Sequence, residues 1–181
     1  LYQSGYITIK DYNKILDLYT LDIPNKEVRL GLMESLLPNY VGNETPEATT
    51  MVAYLFYDIQ NGDMDSALRR LQAFLSTVPY CDNTKYEGHY QQLFYVIFSL
   101  LNYYVDIEVR TPRGRVDVVL RTKTTLYVME LKLDKTAGEA MEQINLKNYP
   151  ERFSLCGLPV VKVAINFDSE RCTIGDWMIE K

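Results

Sequence analysis

Two stretches of this sequence carry ionisable side chains where apolar ones would be expected. The run Leu126 to Leu133, LYVMELKL, is apolar on both faces apart from the Tyr127 hydroxyl, Glu130 and Lys132. The run before it, RVDVVL from Arg115 to Leu120, sets Asp117 between valines. Side chains alternate between the faces of a strand, so Glu130 and Lys132 point the same way. Charge in an apolar strand costs several kcal/mol per ion unless it is paired or bound to a metal. These residues therefore require compensation.

The turn between the two runs sets their register. If Lys123-Thr124 is a two-residue loop with Thr122 opposite Thr125, Asp117 falls opposite Glu130 and two carboxylates share a face. Lys-Thr is not a favoured pair for such a loop, which prefers Asn-Gly or Asp-Gly, and a longer loop would shift the pairing. Like charges directly opposite on a ladder are destabilising, and a divalent cation between them is the simplest remedy. Hard oxygen donors in this number suit Mg²⁺ or Mn²⁺, which complete their shells with water and phosphate. Lys132 would then orient or help deprotonate an attacking water and screen the charge developing at phosphorus. The alternative is a salt-bridged strand pair facing solvent.

The elements that must position these residues can be read from periodicity. Thr84 to Asn102 forms a strongly apolar helix with Glu87, Gln91, Phe94, Phe98 and Leu101 along one stripe. Three strands follow, Tyr103 to Thr111, Arg115 to Thr122 and Thr125 to Leu133, an antiparallel meander with Pro112-Arg113-Gly114 at its first turn. Ala137 to about Tyr149 is helical, Val160 to Phe167 is an apolar strand, and Cys172 to Ile179 is a last edge strand. Hairpins outnumber crossovers, which makes this a mixed α/β sandwich of the α+β kind rather than a doubly wound sheet.

Residues 1–78 have a different rhythm. Ile7 to Ile9 and Tyr19 to Ile23 read as short strands, and helices are expected through Val28 to Leu37, from Pro46 to Gly62, and through Ala67 to Leu75 before Pro79. This part is a small, mainly helical region without a catalytic cluster, and residues 79–181 form the domain that carries the chemistry. The chain opens on Leu1 and already reads as structured, as a segment of something longer would.

Composition bounds the function. No run approaches the ~20 apolar residues of a membrane span. The three cysteines, Cys81, Cys156 and Cys172, have no C-x-x-C spacing and only His89 to help them, which argues against zinc or disulfides and for the cytoplasm. A net charge of -5 argues against nonspecific coating of nucleic acid. The average hides a basic stretch from Arg110 to Lys135, where seven basic residues outnumber three acidic ones.

A Glu on a helix, an Asp on a strand, E-x-K on the next strand and a Gln on a following helix resemble the PD-(D/E)XK nuclease pattern. It reads here as Y-E-G-H-Y-Q (Glu87), G-R-V-D-V-V-L (Asp117), M-E-L-K-L (Glu130, Lys132) and A-M-E-Q-I (Gln143). Val116 rather than Pro precedes the Asp. The likeness runs from about Thr84 to Ile179 and is nearest to the nuclease-like C-terminal domain of bacterial AAA-ATPase-like proteins. LYQSGYITI and YTLDIPNKEV resemble the segment that links such a domain to its ATPase part, and no G-x-x-x-x-G-K-[ST] occurs in the sequence.

The resemblance implies a restriction-endonuclease-like mixed sheet flanked by helices. It implies a metal held by Asp117, Glu130 and the Leu131 carbonyl, Lys132 at the nucleophile, and support from Glu87 and Gln143. It also implies nucleic acid as partner, DNA before RNA, and an ATPase domain on the same full-length chain. Arg113 and Arg115, at a hairpin, are the candidates for contact with phosphate. Plainer roles exist for several residues: Glu87 completes a capping box with Thr84, Gln143 is an exposed helix residue, His89 is structural, and Arg113 and Arg115 sit on a solvated turn. Two functions follow, a Mg²⁺-dependent nuclease, or a nucleic-acid-binding or regulatory module that keeps the fold without turnover and is attached to an AAA-type ATPase.

Overall fold

The computed structural model describes residues 3–25, 27–28, 31–32, 46–76, 94, 97–98 and 104–181. The chain opens with an antiparallel hairpin of β1 (Thr8–Asn13) and β2 (Leu18–Asp22). Asn13 makes its turn by accepting the Ile15 and Leu16 N–H groups on its side chain (3.0 and 3.1 Å). Residues 27–28 and 31–32 are helical, at the start of the helix expected through Val28 to Leu37, and the rest of that helix lies outside the described residues.

Helices α1 (Pro46–Gln60) and α2 (Met64–Ser76) match the expected pair. Leu55 and Ile59 from α1 and Leu68, Leu71 and Leu75 from α2 are buried, at the three- and four-residue spacing that lines one helical face. A buried Asp58 pairs with Arg70 across the two helices, and the Arg70 guanidinium lies 4.7 Å from the centre of the Tyr54 ring.

Five strands form the main sheet in the order β3 (Tyr104–Thr111), β4 (Gly114–Arg121), β5 (Leu126–Leu133), β6 (Val160–Asp168) and β7 (Thr173–Glu180). The pairs β3–β4, β4–β5 and β6–β7 are antiparallel. Strands β5 and β6 are parallel, joined by helix α3 (Ala137–Lys147) and a 3₁₀ turn over Tyr149–Phe153. This is the mixed, helix-flanked α+β architecture expected from the sequence, with β3 and β7 as edges.

Alternation along β5 divides the interior into two layers. Tyr127, Met129 and Leu131 join the core formed with α1 and α2, whereas Leu126 and Val128 join the core formed with α3. Glu130 and Lys132 share the parity of Leu126 and Val128 and so belong to the α3 side. The helices of the 1–78 region thus cover one face of the sheet that carries the acids. Helix α2 is tied to β7 by Gln72 Nε2 donating to the Ile174 carbonyl (2.8 Å) and by the Thr173 hydroxyl donating to the Gln72 carbonyl (2.7 Å). Phe94, Ile97 and Phe98 are helical and buried in this same layer. The rest of the expected Thr84 to Asn102 helix, with Glu87 and His89, lies outside the described residues.

Candidate functional site

Strands β4 and β5 pair Val118 with Met129 and Arg121 with Leu126, the register expected from a Lys123-Thr124 loop. The loop forms despite its unfavoured residues because Thr122 anchors it: its backbone N–H and its hydroxyl both donate to the Thr125 carbonyl (2.9 and 3.0 Å), and its hydroxyl accepts the Thr125 N–H (3.0 Å). The paired stretch stops at Val118 and Met129, so the expected direct pairing of Asp117 with Glu130 is corrected in detail. One residue on, the Leu131 N–H donates to Asp117 Oδ2 at 2.8 Å. A side-chain acceptor there takes up a backbone donor and draws the Asp117 carboxylate against β5.

Glu130 collects donors on one oxygen. Lys132 Nζ lies 2.9 Å from Glu130 Oε1, and Gln143 Nε2 donates to the same atom. Asp117 is 5% exposed, Glu130 1% and the Lys132 side chain 12%, which rules out a strand pair facing solvent. Two acids and one ammonium are therefore held inside the protein, where removing either partner of an ion pair leaves a costly buried charge.

Helix α3 brings Gln143 to this point, and both of its ends are tied down. Thr136 caps the first turn by accepting the Glu139 N–H (3.1 Å) while the Glu139 carboxylate accepts the Thr136 N–H (3.0 Å). The Ala137 N–H donates to Asp176 Oδ2 (2.8 Å), and Asn166 braces Asp176 (2.9 Å) while accepting the Lys135 N–H (2.9 Å). The helix ends at Lys147, two residues before the expected limit, because Asn148 turns left-handed (φ 47°, ψ 47°), a conformation Asn tolerates better than most residues. Tyr149 is thereby folded back beneath the helix, 1% exposed, with its hydroxyl accepting from Gln143 Nε2 at 3.2 Å. Burial raises the Tyr149 phenol above its ordinary pKa, the Gln143 hydrogen bond opposes this, and the charges of Glu130 and Asp117 raise it further against Lys132. The phenol lies within the field of all three charged groups.

A family model of the PD-(D/E)XK nuclease superfamily matches residues 85–177, just over half of the sequence. The chain belongs to the PD-(D/E)XK nuclease superfamily. A curated relative from Azotobacter chroococcum mcd 1, described as an uncharacterized protein in the vnfD 5' region, is 29% identical over 192 residues, covering 99% of this chain and 36% of the relative. This PD-(D/E)XK chain thus spans about a third of that protein's length. No solved structure matches it.

Superfamily members typically use divalent metals, and the donors present fit one: Asp117 and Glu130 offer hard carboxylate oxygens, both buried, beside each other on β4 and β5. Among the described residues no group of three or more His, Cys, Asp and Glu side chains assembles, and Glu87, the third acid of the pattern, lies outside them. Cys156 and Cys172 are free thiols. Arg113 and Arg115 are exposed at the β3–β4 hairpin, where Arg115 Nη1 sits 3.1 Å from Glu108 Oε1. Among the described residues no helix is long and apolar enough to cross a membrane.

The structure gathers Asp117, Glu130, Lys132 and Gln143 around one point of β5. It adds Tyr149, Asn166 and Asp176, which sequence reasoning missed. The Asn-Tyr-Pro run at the end of α3 was the available signal for Tyr149, since Asn and Pro mark a sharp chain reversal. Asn166 and Asp176 carried none, because each is an ordinary polar residue until β6 and β7 pair and set Asn166 opposite Asp176.

Proposed function

We propose that this chain is a metal-dependent nuclease that hydrolyses phosphodiester bonds, with DNA as substrate before RNA. The observation that carries this is the convergence of Asp117, Glu130 and Lys132 in a buried pocket of charge closed by Gln143. Asp117 and Glu130, with the Leu131 carbonyl, would hold Mg²⁺ or Mn²⁺. Such an ion supplies a Lewis acid for the phosphate and a lowered pKa for bound water.

The remaining work falls to the chain itself. Hydrolysis forms a phosphorus–oxygen bond from water and breaks the one to the sugar oxygen, which leaves with a proton. The Lys132 ammonium, held against Glu130, orients the attacking water and screens charge on the phosphate oxygens. Gln143 fixes the Glu130 carboxylate from α3. Arg113 and Arg115, exposed on a hairpin, would meet backbone phosphates in this scheme. Glu87 supports the acids in this scheme, and a cytoplasmic setting and an AAA-type ATPase portion on the same full-length chain are the context the motif resemblance implies.

Cleavage of plasmid, linear duplex, single-stranded DNA and RNA with Mg²⁺ or Mn²⁺ tests the assignment. Asp117→Ala and Lys132→Ala should each lower cleavage by about 100-fold or more. Cleavage that survives either substitution rejects the assigned roles. A second reading, a nucleic-acid-binding or regulatory module without turnover, is favoured by the net charge of -5 and the small size of the basic stretch from Arg110 to Lys135. No cleavage of any substrate, with no metal binding by calorimetry, would select it.

A further inference from the structure

Tyr149 has no part in the hydrolysis as written, yet it is built into the site. Its hydroxyl accepts one N–H of Gln143 (3.2 Å), whose nitrogen also donates to Glu130 Oε1. A primary amide carries two N–H groups on one nitrogen. With only Glu130 as acceptor the carboxamide can swing about that single bond, whereas a second acceptor on the other side sets its plane. The phenol is itself immobilised: its ring is buried in the α3-side core, and the left-handed Asn148 before it and Pro150 after it set its backbone.

Gly114 supplies the other half of the arrangement. It is not among the glycines with positive φ, so backbone freedom does not explain it. Space does: a Cβ at this position would stand 3.3 Å from the Tyr149 hydroxyl oxygen, 3.4 Å from its Cε1 and 3.5 Å from Lys147 Cδ. The start of β4, next to Arg113, packs so close to the phenol that a methyl group there would press on the Tyr149 side chain by a few tenths of an ångström.

We propose that Tyr149 is a positioning residue of the acid site, aiming the Gln143 amide at Glu130, and that Gly114 is kept bare so that the Tyr149 hydroxyl can reach that amide. Its consequence for catalysis rests on the nuclease function proposed above; its structural part does not. Gln143 is one contact removed from the metal ligand Glu130, a kind of partner whose loss commonly changes metal affinity 10- to 100-fold, and Tyr149 acts through it.

The test uses the whole chain and two measurements. The first is the side-chain ¹⁵N amide signal of Gln143, assigned by its disappearance in Gln143→Ala. Tyr149→Phe, which keeps the packed ring, should shift it, and Gly114→Ala should shift it too by pressing on the hydroxyl. The second is Mn²⁺ affinity, from the free-ion signal in electron paramagnetic resonance. Tyr149→Phe and Gln143→Ala should each weaken it about 10-fold, and the double variant should be no weaker than Gln143→Ala alone. A Gln143 signal that stays in place in both Tyr149→Phe and Gly114→Ala, or losses that add in the double variant, overturns the proposal. A wild-type protein that neither binds Mn²⁺ nor cleaves nucleic acid, but whose Gln143 signal shifts as described, refutes the nuclease function and leaves the positioning role standing.

Discussion

Asp117 does two separable things. Its Oδ2 atom accepts the Leu131 N–H at 2.8 Å, and its negative charge lies in the same buried region as Glu130. An Asn retains an acceptor for the N–H and removes the charge, so Asp117→Asn should raise the stability of the metal-free protein by about 1 kcal/mol while abolishing cleavage, a trade common at functional sites. Asp117→Ala strands a buried donor and should cost about 1–3 kcal/mol. Urea denaturation of the three proteins with chelator present separates these effects. Destabilisation by Asp117→Asn would mean that the charge serves the fold rather than a ligand.

At the scale of elements, the two faces of the sheet are held by helices whose termini are capped in different ways. Helix α3 uses a reciprocal Thr136–Glu139 box, braced by Asp176 from β7. Helix α2 uses Asp63, whose Oδ1 accepts the Ser66 N–H at 3.0 Å. That hydrogen bond, chiefly, holds the Asp63 carboxyl below its ordinary value of 3.8. A carboxylate with a depressed folded pKa adds stability that is complete above the unfolded value and disappears as pH falls through the folded one. Asp63→Ala should therefore cost about 1 kcal/mol at pH 7. The two unfolding midpoints should approach each other as pH drops below about 3.8. A gap that persists at pH 2 would assign the effect to packing instead of the cap.

For the molecule as a whole, the layer under α1 and α2 joins residues far apart in sequence. Leu55, Leu68 and Leu71 pack in one core with Val118, Met129 and Ile165. The Trp177 indole on β7 donates to Asp65 at 2.9 Å, and the Arg69 guanidinium lies 5.5 Å from the centre of its ring. Leu71→Ala should cost about 2–5 kcal/mol. Trp177 is the single tryptophan, so its fluorescence reports on β7, while far-UV circular dichroism reports mostly on the helices. The two should trace the same transition in wild type and variant if helices and sheet unfold as one unit. Separate midpoints would show that residues 46–76 fold apart from the sheet.

Strand alternation, turn residues and an apolar helical stripe were enough, without tertiary information, to place the helix pair, the meander, α3 and the last two strands. The loop between β4 and β5 was legible for the same reason: a period of two leaves little freedom once a two-residue turn is assumed. Those features are local, set by interactions within a few residues, and they brought Asp117, Glu130, Lys132 and Gln143 onto neighbouring elements. What local pattern could not decide is where the ladder parts, since the Leu131 N–H finds Asp117 only after the strands have paired. Nor could it show that Tyr149 turns under α3, that Asn166 and Asp176 steady the helix start, or that α1 and α2 share a core with the sheet. These depend on contacts between residues distant in the chain, whose free energy exists only when the layers close together.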